Sequence, residues 1–325
     1  MSERYVLTLR KTGLGDRIIC LCAAWKYARD TNRTLIVDWR HSRYSKTPDN
    51  LFPDCFTTNG AIGGVKLVAG AGIETCALPG PIFPQRWGSE NRLASPWLEP
   101  ADGLPGEREA AVELMRSGCD IPANTIVFNT CVNDGIVLLK DAKSCLSDLK
   151  MHERISAAAS DFLRQTPRPD HLIGMHIRHG NDGVVGHAKS WTSFDRAISR
   201  CQTAVNRARS RVGQDVPVLL CTDSIEVQTT VLKRIPNTIV RPKFFRPAGS
   251  GELHLGADAY LGFDDALIEM ELLSRCDTLI RYPAGSFFSF YPAVMKRSTE
   301  TDIETVYDLM RPSEPGDPLS PAILY

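Results

Sequence analysis

The stretch LIGMHIRHGND, Leu172 to Asp182, ends an apolar run abruptly in His176, Arg178, His179, Gly180, Asn181 and Asp182. In open α/β sheets ligands collect outside the carboxyl ends of strands, and a forked, permanently charged guanidinium there suits a phosphate or diphosphate. Arg178 is therefore the leading anion-binding residue; the alternative is a surface salt bridge, with the histidines capping a turn. A second strand end has the same character. VPVLLCTDS, Val216 to Ser224, runs apolar and then presents Thr222, Asp223 and Ser224. Short polar side chains here suit either a ligand or the start of the following helix. Two such edges in one half of the chain favour a ligand crevice.

Near the amino terminus, KTGLGD places Gly13 and Gly15 between a β-prone run and an apolar helix. Glycines in such a turn allow close approach of the backbone to a bound group, with helix-start amides pointing at it. The alternative is a tight turn with no ligand. The dinucleotide fingerprint lacks its third glycine, so no nicotinamide cofactor is expected.

The elements that must position these residues alternate. Strand Tyr5 to Leu9, a helix ending near Asn32 and strand Arg33 to Trp39 form a βαβ unit with parallel pairing. From Arg40 to about Pro105 the periodicity dissolves into an irregular insertion, in which Trp87, Trp97 and Phe83 form either a sugar platform or a staple onto the core. A helix near 107–117, a strand near 125–133 and an amphipathic helix at 151–166 follow, the last with Ile155, Ala159, Phe162 and Leu163 on one face. TPRPD then suggests a domain boundary, giving domains 1–167 and 168–325. The second half continues with strands at 172–177, 218–221, 238–241 and 278–281, and helices at 193–209, 225–235 and 264–274. A doubly wound α/β sheet is the natural assembly.

The chain has 325 residues, 43% apolar and 23% charged, which suits two domains. Lys plus Arg and Asp plus Glu balance at 38 each, so no overall field exists to hold nucleic acid or an anionic membrane, and any anion site must be local. No secretory signal is visible and no run of about 18 apolar residues occurs, so no membrane span and a cytoplasmic location are expected. The ten cysteines include no CxxC pair and several lie in apolar runs, as reduced thiols of a cytosol do. The CxC of Cys20 and Cys22 has no histidine partner nearby, and no metal site is expected.

Six ordered segments carry a resemblance: RYVLTLRKTGLGDRI, RTLIVDWR, GPIFP, HIRHGN, LLCTDS and ALIEMELLSRCDTLIRYPAGSFF. Together they resemble the NodZ-type rhizobial nodulation fucosyltransferases, relatives of the eukaryotic core α-1,6-fucosyltransferases. The match runs over nearly the whole chain.

The resemblance implies a GT-B architecture, two Rossmann-like domains facing a cleft, with the first domain on the acceptor side and the second binding the donor. It implies inverting transfer of L-fucose from GDP-β-L-fucose, without a metal ion or cofactor, to the 6-hydroxyl of the reducing-end N-acetylglucosamine of a chitin oligosaccharide or lipo-chitooligosaccharide. By similarity Arg178 grips the β-phosphate, with His176, His179 and Asn181 beside it. Asp223 and Ser224 lie near the nucleotide, Ser286 and Phe287 match the segment that closes on the donor phosphates, and Glu269 falls where relatives carry Asp at the guanine edge. In NDGVVGHAKSW only Asp182 is acidic, so Asp182 and His187 are the candidate bases for the acceptor hydroxyl. A GDP-fucose-binding protein without turnover, or a fucosyltransferase with a different acceptor, remains the alternative.

Overall fold

The computed structural model describes residues 3–10, 12–69, 80–89, 106–131, 136–166, 170–181, 193–296 and 321–324. These fall into two units, the first running to His152 and the second starting at Glu153.

In the first unit, β1 (Tyr5–Thr8), α1 (Leu14–Asp30) and β2 (Thr34–Val37) form the expected βαβ unit. Beyond them come α2 (Phe52–Cys55), β3 (Phe56–Thr57), β4 (Ala61–Ile62), β5 (Val65–Val68), β6 (Ile82–Phe83), α3 (Arg86–Ser89), α4 (Glu107–Ser117), β7 (Thr125–Phe128), α5 (Leu139–Ser147) and β8 (Lys150–Met151). The main sheet has the order β4-β5-β2-β1-β7-β6, parallel except for the β4/β5 pair. β1 is central, and its Val6 and Leu7 are wholly buried, as a strand covered on both faces requires. α1 is buried on nearly all sides and packs on β1, β2 and α5.

The stretch expected to be an irregular insertion is in part regular. β5 and β6 are members of the main sheet, and β4 joins β5 through Gly63 and Gly64, both at positive φ, the backbone that a two-residue hairpin turn needs. Strands of two to four residues are too short to show a period. Trp87 is buried and its indole N–H donates to Glu107 at 2.8 Å, so this tryptophan staples α3 to α4. Trp97 lies outside the described residues.

The second unit comprises α6 (Glu153–Gln165), β9 (Ile173–Ile177), α7 (Phe194–Val212), β10 (Val218–Thr222), α8 (Ile225–Arg234), β11 (Thr238–Ile239), α9 (Phe263–Ser274), β12 (Thr278–Tyr282), α10 (Phe290–Lys296) and β13 (Ala322–Leu324). Its sheet runs β11-β10-β9-β12-β13, with only β13 antiparallel. Ile173, Met175 and Ile177 of β9 share one core with Ala197, Ile198, Cys201 and Val205 of α7. The expected boundary near residue 167 lies too late, because α6 packs against α9, with Ile155 and Ala159 buried and Arg275 Nη1 donating to Ser160 Oγ at 2.8 Å. The prolines that suggested the boundary follow this helix rather than separate two cores.

Among the described residues no helix is long and apolar enough to cross a membrane. None of the nine described cysteines is in a disulfide, and most are buried.

Candidate functional site

β9 is flanked by β10 on one side and β12 on the other, so the strand order reverses about it, and the carboxyl end of such a switch point is where open α/β sheets take their ligands. The last ladder pairs there are Ile177 with Thr222 and Ile177 with Tyr282. Arg178 N extends the ladder by donating to Tyr282 O at 2.8 Å. The backbone then turns through Gly180 at φ 81° and Asn181 at φ 49°. Asparagine is among the few side chains that tolerate this left-handed region. Asn181 Nδ2 donates to Pro247 O at 2.7 Å, and Gly251 N donates back to Asn181 O at 3.0 Å.

Asp223 follows β10 and fastens this turn. Its Oδ1 accepts from His179 N at 2.8 Å, and its Oδ2 accepts from Gly180 N at 2.9 Å and lies 2.7 Å from Arg178 Nη1. Burial by itself raises the Asp223 pKa, but the Arg178 charge and the two backbone N–H donors outweigh it and hold the carboxyl below its ordinary value. On the other side, Arg178 Nη2 lies 3.3 Å from His254 Nδ1. A guanidinium only donates, so Nδ1 is the acceptor in this contact. These two contacts engage both ends of the guanidinium fork, which carries five N–H donors.

Two more cations stand at the same edge. Arg281, opposite His176 in the ladder, is wholly buried; its Nε donates to Ser289 Oγ at 2.9 Å and its Nη2 to Ser286 O at 3.2 Å. Burial lowers its pKa to about 10, which leaves it protonated at neutral pH. Lys243 Nζ donates to Glu269 Oε1 at 2.6 Å and to Thr222 O, and lies 5.0 Å from the Phe245 ring centroid. Burial raises the Glu269 pKa against the pull of Lys243. His176 sits among these charges with its ring 4.8 Å from that of Phe288. Burial drives its pKa down to about 3, with Asp223 opposing and Arg178, Arg281 and Lys243 reinforcing, so the imidazole is neutral.

The second unit thus brings His176, Arg178, His179, Asn181, Asp223, Ser224, Glu269 and Ser286 to one sheet edge and its supports. Ser224 caps α8, its Oγ accepting from Val227 N at 3.3 Å. Phe287 opens the short 3-10 turn Phe287–Ser289 and is half-buried. Gly13 and Gly15 belong to the first unit, where Gly13 is the residue before α1 and Gly15 lies inside its first turn. That loop is held by the wholly buried Arg17, whose Nε donates to Thr12 O at 2.8 Å and whose Nη2 donates to Ser42 Oγ at 2.9 Å. Asp182 and His187 lie outside the described residues.

Lys243, His254 and Arg281 were missed by sequence reasoning. Arg281 carries the one available signal, a charge inside the apolar run TLIRY; Lys243 and His254 sit in Pro- and Gly-rich connections with no motif. Among the described residues no group of three or more His, Cys, Asp or Glu side chains is placed to hold a metal ion.

Two successive parallel α/β units, the second with a cationic ligand edge at its switch point, are the parts of a fold of the GT-B type. The family model of nodulation protein Z (NodZ) matches residues 2–311, and the chain belongs to that family. It is 36% identical over 294 residues to nodulation protein Z of Bradyrhizobium diazoefficiens, covering 89% of this chain and 78% of that one. It is 37% identical over 298 residues to nodulation protein Z of Sinorhizobium fredii, covering 90% of each. Among solved structures, the crystal structure of the NodZ α-1,6-fucosyltransferase soaked with GDP-fucose superposes with a TM-score of 0.73 at 30% identity, covering 90% of this chain and 93% of that chain.

Proposed function

We infer that this chain is an inverting α-1,6-fucosyltransferase, moving L-fucose from GDP-β-L-fucose to the 6-hydroxyl of the reducing-end N-acetylglucosamine of a chitin oligosaccharide or lipo-chitooligosaccharide. The observation that carries this reading is the Arg178 guanidinium, held by Asp223 and His254 at the switch point of a NodZ-family chain. The acceptor oxygen attacks the fucose anomeric carbon as the bond from that carbon to the β-phosphate oxygen breaks. Negative charge develops on the departing diphosphate, and a fixed cation aimed there stabilises the transition state more than the ground state. Arg178 supplies that cation, and the buried Arg281 and Lys243 keep the edge electropositive. Asp182 or His187 takes the acceptor proton.

The second unit holds the donor, with His176, His179, Asn181, Asp223, Ser224, Glu269, Ser286 and Phe287 forming or supporting its site. The first unit serves the acceptor, and its Gly13 and Gly15 turn lets the backbone approach a bound group. The described thiols, mostly buried and none in a disulfide, support a cytoplasmic location.

The test is purified protein with GDP-fucose and a chitin tetrasaccharide in EDTA, read by mass spectrometry and linkage analysis. One added deoxyhexose on the 6-hydroxyl of the reducing-end sugar is expected. Binding of GDP with no product on any chitin oligosaccharide overturns the acceptor assignment.

A further inference from the structure

Asp223 stands where a nucleotide ligand is expected, yet its bonds are already made. Oδ1 receives the His179 N–H at 2.8 Å, and Oδ2 receives the Gly180 N–H at 2.9 Å and the Arg178 guanidinium at 2.7 Å. The side chain is 13% exposed. Arg178 and Asp223 are the residues immediately after the Ile177/Thr222 pair of two adjacent parallel strands, so the sheet itself brings them side by side. An arginine side chain has rotamer entropy to lose when a ligand fixes it, and a carboxylate already bonded to one end of the fork removes much of that loss beforehand.

We propose that Asp223 is a positioning residue for Arg178, fixing the guanidinium and the 178–181 turn in the geometry that receives the departing diphosphate, and that it makes no contact with the donor. The inference rests on the proposed role of Arg178 as the diphosphate anchor. It has a further consequence: the His179 and Gly180 amides are spent on Asp223, so the anchor at this strand end is the Arg178 side chain and not a nest of backbone N–H groups.

The carboxylate is the group this arrangement needs. All three neighbours are donors, and replacing either oxygen by an amide NH2 sets donor against donor. Asp223→Asn therefore lets the guanidinium swing and the turn loosen. A displacement of about 1 Å in such an anchor costs on the order of a hundredfold in rate.

The experiment is a double-mutant cycle on the full chain with Arg178→Ala, Asp223→Asn and the combination. GDP affinity is read by calorimetry and kcat with GDP-fucose by product formation, with thermal unfolding as a check of the fold. Asp223→Asn is expected to lower both GDP affinity and kcat in the Arg178 background, and to change neither by more than about threefold once Arg178 is gone, because coupling is confined to residues in one network. Equal losses in both backgrounds would mean that Asp223 contacts the donor directly, and the proposal fails while the role of Arg178 stands. Unchanged GDP binding in Arg178→Ala, or no GDP binding by the unmodified protein, removes the anchor role of Arg178 and the proposal with it. If Asp223→Asn unfolds, Asp223→Glu replaces it in the same cycle; it keeps the charge and moves it by one methylene, and the same non-additivity is expected.

Discussion

The Lys243 ammonium lies 2.6 Å from Glu269 Oε1, and the two side chains are 7% and 8% exposed, a buried ion pair that joins the connection after β11 to the middle of α9. Burial raises the Glu269 pKa while Lys243 opposes it. Removing one partner of such a pair costs more than removing both, because the survivor keeps its desolvation cost. Lys243→Met should destabilise the protein by about 3–5 kcal/mol in urea unfolding, and Lys243→Met with Glu269→Leu should recover most of that loss. A double variant no more stable than the single one would show that the pair itself holds α9 in place.

Arg178→Lys is expected to fail nearly as badly as Arg178→Ala, although it preserves the charge. An ammonium is a single point on a flexible stem and does not bridge Asp223 and His254 while presenting a fork to a phosphate. A loss of about 10²–10³ in kcat is expected for both variants, with a cooperative thermal transition retained in each and lowered in Arg178→Ala, where Asp223 keeps its burial without its partner charge. Normal turnover in Arg178→Lys would show that charge alone suffices.

The His176 imidazole gives stability a pH dependence of known sign. Its folded pKa is depressed from 6.5 to about 3, first by burial, so below about 6.5 the unfolded chain binds a proton that the folded protein refuses. Its contribution is complete above pH 6.5 and falls by about 1.4 kcal/mol per pH unit toward 3. The difference in unfolding free energy between the unmodified protein and His176→Gln, measured at pH 7 and pH 5, should shrink on acidification. A difference independent of pH would mean that the ring protonates in place.

Asn181 combines a left-handed backbone with two side-chain bonds, to Pro247 O at 2.7 Å and to Ser250 Oγ at 3.3 Å. Asn181→Ala should cost about 1–3 kcal/mol through the lost bonds and the strained φ, and Asn181→Gly less than the alanine variant because the strain is absent. Thermal unfolding of the three proteins gives the order, and alanine matching glycine would remove the backbone part of the argument.

The alternation of strand and helix, the strand ends at Arg178 and Asp223, and the βαβ opening were legible in the sequence because each depends on residues close together in the chain. AIGGV also carried a readable hairpin signal in its paired glycines, but the strands around it are too short to show a period. The tertiary structure decided which groups meet. Asp223 reaches Arg178 only because β10 lies beside β9, and His254 arrives from 76 residues away on a connection without a motif. Likewise Lys243 finds Glu269 across 26 residues, and α6 belongs with the second unit because its buried face fits α9. Local pattern encodes which residues end a strand and which face a helix buries. Strand order and helix docking follow from burying all the apolar faces at once, and that global condition determines which side chains become neighbours.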